Sequence, residues 1–329
     1  MNPCRSCVKS LISFIRKIQE INPVRDLSTT TAARSDKVPE NEEDTILVDK
    51  DESITLIGIN RPKQRNSINA QTAERLSNAL AAFEADDTSP IAVLYGVGGT
   101  FCAGYDIQEL ESQCEKGSLD FLLRHEGSVG PTRRHPKKPI VCGINGFCVA
   151  SGLELALMCD LRVMEDTAIL GFFNRRFGVP VSDGGTARLA AIVGYSRALE
   201  LLESGRRIDG REALNIGLAN RLVATGTALG QAVNLAFSIV KFPPASLIRD
   251  RSCLYTNAYS RQGFRAAMQT EIMSTSKEVL TELKEGVQRF KKVDPLQNKT
   301  EGWHVKEKPI PEWERQEIAH ENEIRKKTK

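Results

Sequence analysis

No stretch of this chain is apolar for anything near the ~20 residues that a bilayer-spanning helix needs. The longest apolar runs, such as Ile140–Ile144 and Leu155–Cys159, have the length of buried core elements. An excess of one charge is also lacking: 45 Lys and Arg stand against 42 Asp and Glu, and a net charge of +3 gives no general field that would draw the protein to nucleic acid. Histidine is scarce, with four in 329 residues, and His125 and His135 do not have metal-ligand spacing. Neither a Walker loop nor a GxGxxG turn is present, so neither a metal nor a nucleotide redox cofactor is implied. Cys4 and Cys7 form a CxxC, but no second CxxC or His pair follows to complete a zinc site. The eight cysteines do not fall into a disulfide framework, and several sit in apolar runs where a reduced thiol acts as a small hydrophobe; a reducing compartment fits best.

What is present is the ordinary composition of a soluble globular protein, 40% hydrophobic and 26% charged, in a chain long enough for one large domain or two ordinary ones. Residues 1–38 carry seven Lys and Arg against three acids, with a Ser/Thr cluster at Ser28–Thr31. This composition resembles a mitochondrial transit peptide and predicts a matrix location; Arg25-Asp26-Leu27-Ser28 suits a processing site. The run Leu11–Ile15 is too short and too quickly closed by Arg16 and Lys17 to be the core of a secretory signal. An acid-rich linker is expected over 39–50, with the folded domain beginning near residue 45.

Strand, turn and helix then alternate. Ile54–Ile59 reads as a strand closed by the Arg61-Pro62 turn, and Asn69 as the N-cap of a helix with Ala73, Leu76, Leu80 and Phe83 on one face, stopped by Asp86-Asp87 and Pro90. Ile91–Tyr95, Ile140–Ile144, Leu161–Val163 and Leu222-Val223 follow as strands, with helices over Leu153–Cys159, Gly185–Val193 and a segment ending before Gly217. The order predicts an α/β fold with helices outside a parallel-type core. Residues 245–292 read as long helices, and 293–329 as a solvated polar tail, in which Trp303 and Trp313 leave docking on a partner open.

Two glycine turns stand out, Phe101–Leu110 (FCAGYDIQEL) and Gly143–Asp160 (GINGFCVASGLELALMCD). Each follows an apolar run, and the second sets Glu154 in the first turn of a helix. Two such turns can aim two backbone N–H groups at one point, which stabilises an oxyanion without a side chain. From about Ile54 to about Phe290 the chain resembles the crotonase, or enoyl-CoA hydratase/isomerase, family. The resemblance implies a spiral of β-β-α repeats over 51–244, a helical C-terminal subdomain over 245–292, a coenzyme A thioester as substrate and no further cofactor, and a homotrimer or hexamer.

Carried onto this sequence, the resemblance makes the N–H groups of Tyr105 and Ser151 the oxyanion hole, with Ser151 standing where the family usually has glycine, and a side chain at that close approach crowds the thioester or needs a less permissive backbone. Glu154 matches the first catalytic glutamate. Flanked by Leu153 and Leu155, it would be costly to bury without a purpose, and burial would lift its pKa towards a range useful for proton transfer. The second family glutamate falls on Asn174, an amide that orients but does not transfer a proton. Asp183, in VSDGGT, is either a second acid/base or the N-cap of the next helix. Arg61, Lys63 and Arg65 resemble the family's first CoA-contacting turn, and Asp106 and Ile107 follow the turn that contacts adenine. The cluster Arg133, Arg134, His135, Lys137 and Lys138 is either a solvated loop or a further phosphate contact.

Three reactions suit these residues: hydration of a 2-enoyl-CoA first, double-bond isomerisation second because Asn174 is not a carboxylate, and decarboxylation with Arg175 or Arg176 holding a second carboxylate. From another class, Ser151 and Asn174 together suit a non-catalytic acyl-CoA-binding protein.

Overall fold

The computed structural model describes residues 45–116 and 124–260, with 268, 276–279, 281–283 and 285. The segment 1–38, the first half of the 39–50 linker, the greater part of 261–292 and the 293–329 tail lie outside the described residues.

The larger sheet has six strands in the order β1-β2-β3-β4-β6-β9. These are β1 (Ile46–Asp51), β2 (Ile54–Ile59), β3 (Ile91–Gly96), β4 (Ile140–Ile144), β6 (Leu161–Glu165) and β9 (Arg221–Val223). β1 runs antiparallel to β2 and every other pair is parallel. Strands β2, β3 and β4 are buried along their whole length, as expected of parallel strands covered on both faces, and this is why their sequences read as unbroken apolar runs. The register Cys142↔Arg162 and Gly143↔Val163 fixes β4 beside β6. A smaller sheet, β5-β7-β8, is made of β5 (Phe147–Val149), β7 (Ile169–Gly171) and β8 (Ile208–Asp209).

The helices are α1 (Ala70–Ala85), α2 (Ile107–Glu115), α3 (Ser151–Met158), α4 (Gly185–Val193), α5 (Tyr195–Ser204), α6 (Gly210–Asn215), α7 (Ala228–Ile239) and α8 (Pro244–Tyr259). Asn69 caps α1, its side chain accepting from the Thr72 N–H at 2.9 Å. Thr72, Ala73, Leu76, Leu80 and Phe83 form the buried face of α1, each large side chain contributing about 1.5–3 kcal/mol by leaving water. Helix α3 is different: all eight residues are buried, so it is a central element and not an outer layer. No helix among the described residues is long and apolar enough to cross a membrane.

Two expectations need correction. The folded part does begin near residue 45, but residues 46–50, given to the 39–50 linker, belong with Asp51 to β1; its exposed Val48, Asp49 and Lys50 sit on an edge strand, where charge is a common device against unwanted pairing. The segment Phe147–Val149, placed within a single glycine turn, is a short strand of its own, and so is Ile169–Gly171. Three-residue strands carry no periodicity from which to read them.

Candidate active site

The two glycine turns are stitched together by backbone. The Phe101 N–H donates to Asn145 O at 2.9 Å, Cys102 N–H to Phe147 O at 3.0 Å, and Val149 N–H to Cys102 O at 3.1 Å. Beyond this bridge the chain passes Gly104 on one side and Ala150 on the other. Gly104 adopts φ +97°, and a Cβ there would lie 3.0 Å from Ala150 Cβ and 3.2 Å from the Ser151 nitrogen. A Cβ on Gly152 would lie 2.4 Å from Cys102 O, so the second turn needs glycine for a close approach of backbone to backbone.

Each N–H is aimed by its neighbours. Ile68 N–H donates to Gly104 O at 2.8 Å and Asp106 N–H to Ile68 O at 3.0 Å, a parallel bridge that turns the intervening Tyr105 N–H away from Ile68. Ser151 is the first residue of α3, where the N–H groups have no acceptor within the helix. Ala150, before it, is a non-glycine residue at φ 54°, ψ −131°, anchored by its N–H to Gly171 O at 2.9 Å. Such a conformation costs on the order of 1–3 kcal/mol and clusters at functional sites. The sequence holds no signal of it.

Glu154, one turn into α3, is completely buried. Its Oε1 accepts from the Asp183 N–H at 2.7 Å and the Gly185 N–H at 3.0 Å, while Oε2 is buried without a hydrogen-bond partner among the described residues. Burial is the main cause that pushes its pKa up to about 7, with the Asp183 charge adding to it, and the two N–H donors and Arg188 acting in the opposite direction. The result is one fixed oxygen and one open oxygen on a carboxyl that exchanges a proton near neutrality.

Asp183 is also completely buried, and both its oxygens are engaged: Oδ1 accepts from the Ser128 N–H at 2.7 Å, and Oδ2 meets the Ser128 hydroxyl. It does not cap α4, whose N-cap is Gly184 without a side-chain bond. The carboxylate instead holds the Ser128 loop against the Glu154 support, and Arg188 fixes the same turn by donating to Asp183 O at 3.1 Å. Asn174 is buried in a short 3-10 helix, Phe173–Phe177; its Nδ2 donates to Val179 O at 2.8 Å and its Oδ1 is buried without a partner among the described residues. Arg175 and Arg176 are exposed, Arg176 lying 4.3 Å from the centre of the Phe173 ring.

Of the five positions assigned to CoA, Arg61 and Asp106 are turned towards each other. Arg61 Nη1 lies 2.9 Å from Asp106 Oδ2 and 2.6 Å from Ser67 O, with both side chains largely buried. Asp106 Oδ1 accepts from the Gln108 N–H at 3.0 Å, so this carboxylate also starts α2. Lys63, Arg65 and Ile107 are exposed at the same turn. Asn66, not singled out in the sequence, is fully buried at φ 55°; it donates to Val97 O at 2.9 Å and Thr100 O at 2.5 Å and accepts from the Arg61 N–H at 2.8 Å. It locks the basic turn to the loop leading to Phe101. The cluster 133–138 is neither a free loop nor a line of available cations. Arg134 binds both oxygens of Glu84, at 2.7 and 2.9 Å, Lys138 donates to three carbonyls, and His135 stacks on Tyr255 at 3.6 Å.

Comparison with known proteins agrees with this geometry. The chain matches the family described as enoyl-CoA hydratase/isomerase over residues 49–299. A human protein named enoyl-CoA hydratase domain-containing protein 2, mitochondrial, is 37% identical over 54% of this chain and 61% of its own length. The short-chain-enoyl-CoA hydratase of Clostridium acetobutylicum is 29% identical over 69% of this chain and 83% of its own. The crystal structure of enoyl-CoA hydratase EchA1 from Mycobacterium marinum superposes with a TM-score of 0.69 at 29% identity, covering 76% of this chain and 96% of that one. A crotonase-type α/β fold with these turns, and a family match over most of the chain, establish that this protein belongs to the enoyl-CoA hydratase/isomerase family of acyl-CoA-processing enzymes.

Proposed function

We propose that this protein adds water across the 2,3 double bond of 2-enoyl-CoA thioesters, with Glu154 as the principal acid/base and the N–H groups of Tyr105 and Ser151 as the oxyanion hole. The observation that carries this reading is the carboxyl of Glu154: one oxygen fixed by two N–H donors, the other buried and open, and a pKa raised to about 7. Glu154 takes a proton from water as the oxygen bonds to C3. The π electrons move to the thioester oxygen, which the two N–H groups stabilise, and the proton returns to C2 as the thioester carbonyl reforms. Coenzyme A enters as part of the substrate, with Lys63 and Arg65 exposed to meet its phosphates and Ile107 beside the turn. The Arg61–Asp106 pair holds that turn in place and Asn174 orients water or thioester.

One observation favours double-bond isomerisation as a second reading. Asp183 spends both oxygens on Ser128 and residue 174 is an amide, which leaves Glu154 as the one open carboxylate described at the site. A single carboxylate suffices to remove a proton from C2 of a 3-enoyl-CoA and return it to C4. Turnover of crotonyl-CoA and of a 3-enoyl-CoA, each by wild type, Glu154→Gln and Asp183→Asn, separates the readings. Hydration lost in both variants supports two carboxylates in a hydratase. Isomerisation that survives Asp183→Asn supports one. Binding of CoA thioesters with neither reaction would instead favour a decarboxylase or a binding protein. A mitochondrial matrix location is supported by the transit-like composition of 1–38 and by the mitochondrial names of the human, mouse and cattle relatives. A homotrimer or hexamer is proposed on the family resemblance alone.

A further inference from the structure

At the far end of α3, about 10 Å along its axis from Ser151 at a 1.5 Å rise per residue, the fold forms a solvent-open cavity of about 340 Å³ between the end of α3, α4 and α8. Its size is at the lower end of the range for small-molecule sites. Three guanidinium groups line it, Arg162, Arg188 and Arg251, against one carboxylate, Asp160. Arg251 is the group with capacity left. Its Nε pairs with Asp160 Oδ1 at 2.6 Å and its Nη1 donates to Pro136 O at 2.6 Å, while Nη2 is buried without a partner among the described residues. Its side chain is nine-tenths buried. His135, stacked on Tyr255, presents a second orphan, Nε2.

The other two arginines bond only to neutral carbonyls. Arg162 donates to Leu218 O and Cys159 O at 2.7 Å each, which satisfies the end of α3, and Arg188 to Asp183 O and Arg134 O at 3.1 Å each. Neither has a carboxylate within ion-pairing distance among the described residues. Arg188 also lies in the field of the Glu154 carboxyl, which leaves Arg162 and Arg251, both buried or largely buried, facing the single carboxylate of Asp160, an imbalance that an incoming anion offsets, because desolvated charge is stabilised by a hydrogen-bonded counter-charge. The rest of the lining is apolar or aromatic, with Leu157, Ile192, Leu254 and the rings of Tyr255 and Tyr259.

We propose that this cavity binds a small organic anion, a carboxylate or phosphate carried on a short apolar body, with the anionic group on Arg251 Nη2 and His135 Nε2–H and the body against Leu157, Ile192 and the tyrosine rings. The site is separate from the oxyanion hole, joined to it through α3 and through Arg188, which lines the cavity and supports the Asp183 turn.

The test is isothermal titration of the full-length protein with butyrate, inorganic phosphate and, as the neutral isostere, butyramide, beside His135→Phe and Arg251→Lys. Phenylalanine keeps the stack on Tyr255 and lysine keeps a cation beside Asp160, so each removes one orphan while retaining its main support. Saturable binding of butyrate or phosphate, absent for butyramide and weakened about tenfold or more in either variant, is the expected result, a loss in keeping with one charge-assisted hydrogen bond. Preference for butyrate identifies a carboxylate with an apolar body as the ligand chemistry, and preference for phosphate a phosphate. The proposal is overturned if neither anion saturates, if butyramide binds as well as butyrate, if both variants bind as wild type does, or if free coenzyme A displaces the anion, which would assign it to the acyl-CoA site.

Discussion

Replacing Glu154 by glutamine separates what this carboxyl contributes to the reaction from what it costs the fold. The unfolded chain releases the Glu154 proton near its ordinary value of 4.5, whereas the folded protein holds it to about 7. Between these values the native state binds more protons than the unfolded one, so this group's contribution to stability falls as pH rises from about 4.5 to about 7 and stays low above it. At about 1.4 kcal/mol per pH unit, the charged carboxylate costs the fold about 3 kcal/mol at pH 8. Glutamine carries no such charge, and its carbonyl oxygen still accepts from Asp183 and Gly185. Its amide nitrogen meets no acceptor at the position of Oε2, a penalty of about 1–3 kcal/mol that does not vary with pH. The stability difference between variant and wild type should therefore favour the variant by about 3 kcal/mol more at pH 8 than at pH 4.5, read by urea denaturation at both. Turnover should fall by about 10²–10⁴, the usual range for loss of a general acid/base. A stability difference that does not change with pH, or a variant that turns over at the wild-type rate, would refute the reasoning.

Gly104→Ala places a Cβ 3.0 Å from Ala150 Cβ at φ +97°, and should lower kcat of the acyl-CoA reaction much more than it raises KM, measured by steady-state kinetics. Ala150→Gly relieves the positive φ and should raise Tm by about 2–4 °C, as read by calorimetry, for about 1 kcal/mol gained. Asp106→Ala leaves the largely buried Arg61 charge without its counter-charge and should destabilise the protein by about 3–5 kcal/mol in urea titrations. The thiols of Cys102, Cys142, Cys148, Cys159 and Cys253 are buried; burial pushes Cys102 up to about 12 and raises Cys148 too, so mass spectrometry after brief treatment with a thiol reagent should find these five unmodified until urea is added.

The parts of the fold that were legible in the sequence are those with a strong local cause. Strands Ile54–Ile59 and Ile140–Ile144 match their expected bounds because parallel, two-sided burial writes an unbroken apolar run. Helix Gly185–Val193 matches because glycines delimit it. The chain was silent where the cause is tertiary. Ile46–Asp51 pairs with β2 despite three charges, since an edge strand tolerates them. In the site, the carboxylate between two leucines announced Glu154, but the donors that hold it come from residues 183 and 185, which no spacing connects to it. Asp183 reads as an acid/base or a cap from sequence and is bound to Ser128 in the fold, a partner 55 residues away. Arg61 is a CoA contact by the family resemblance of its turn, and its bond to Asp106 was not legible in the sequence, because the bridge from Ile68 to Gly104 brings the two turns together.

The central claim is that Glu154 moves a proton at C2 of a thioester whose oxygen is held by the Tyr105 and Ser151 N–H groups. Exchange of the C2 protons of butyryl-CoA in D2O, followed by NMR with wild type and Glu154→Gln, tests it without assuming whether the enzyme hydrates or isomerises. The account predicts catalysed exchange in wild type, rising with pH through about 7 as the carboxyl becomes a base, and its loss in the variant. Exchange at the same rate in both proteins would contradict it.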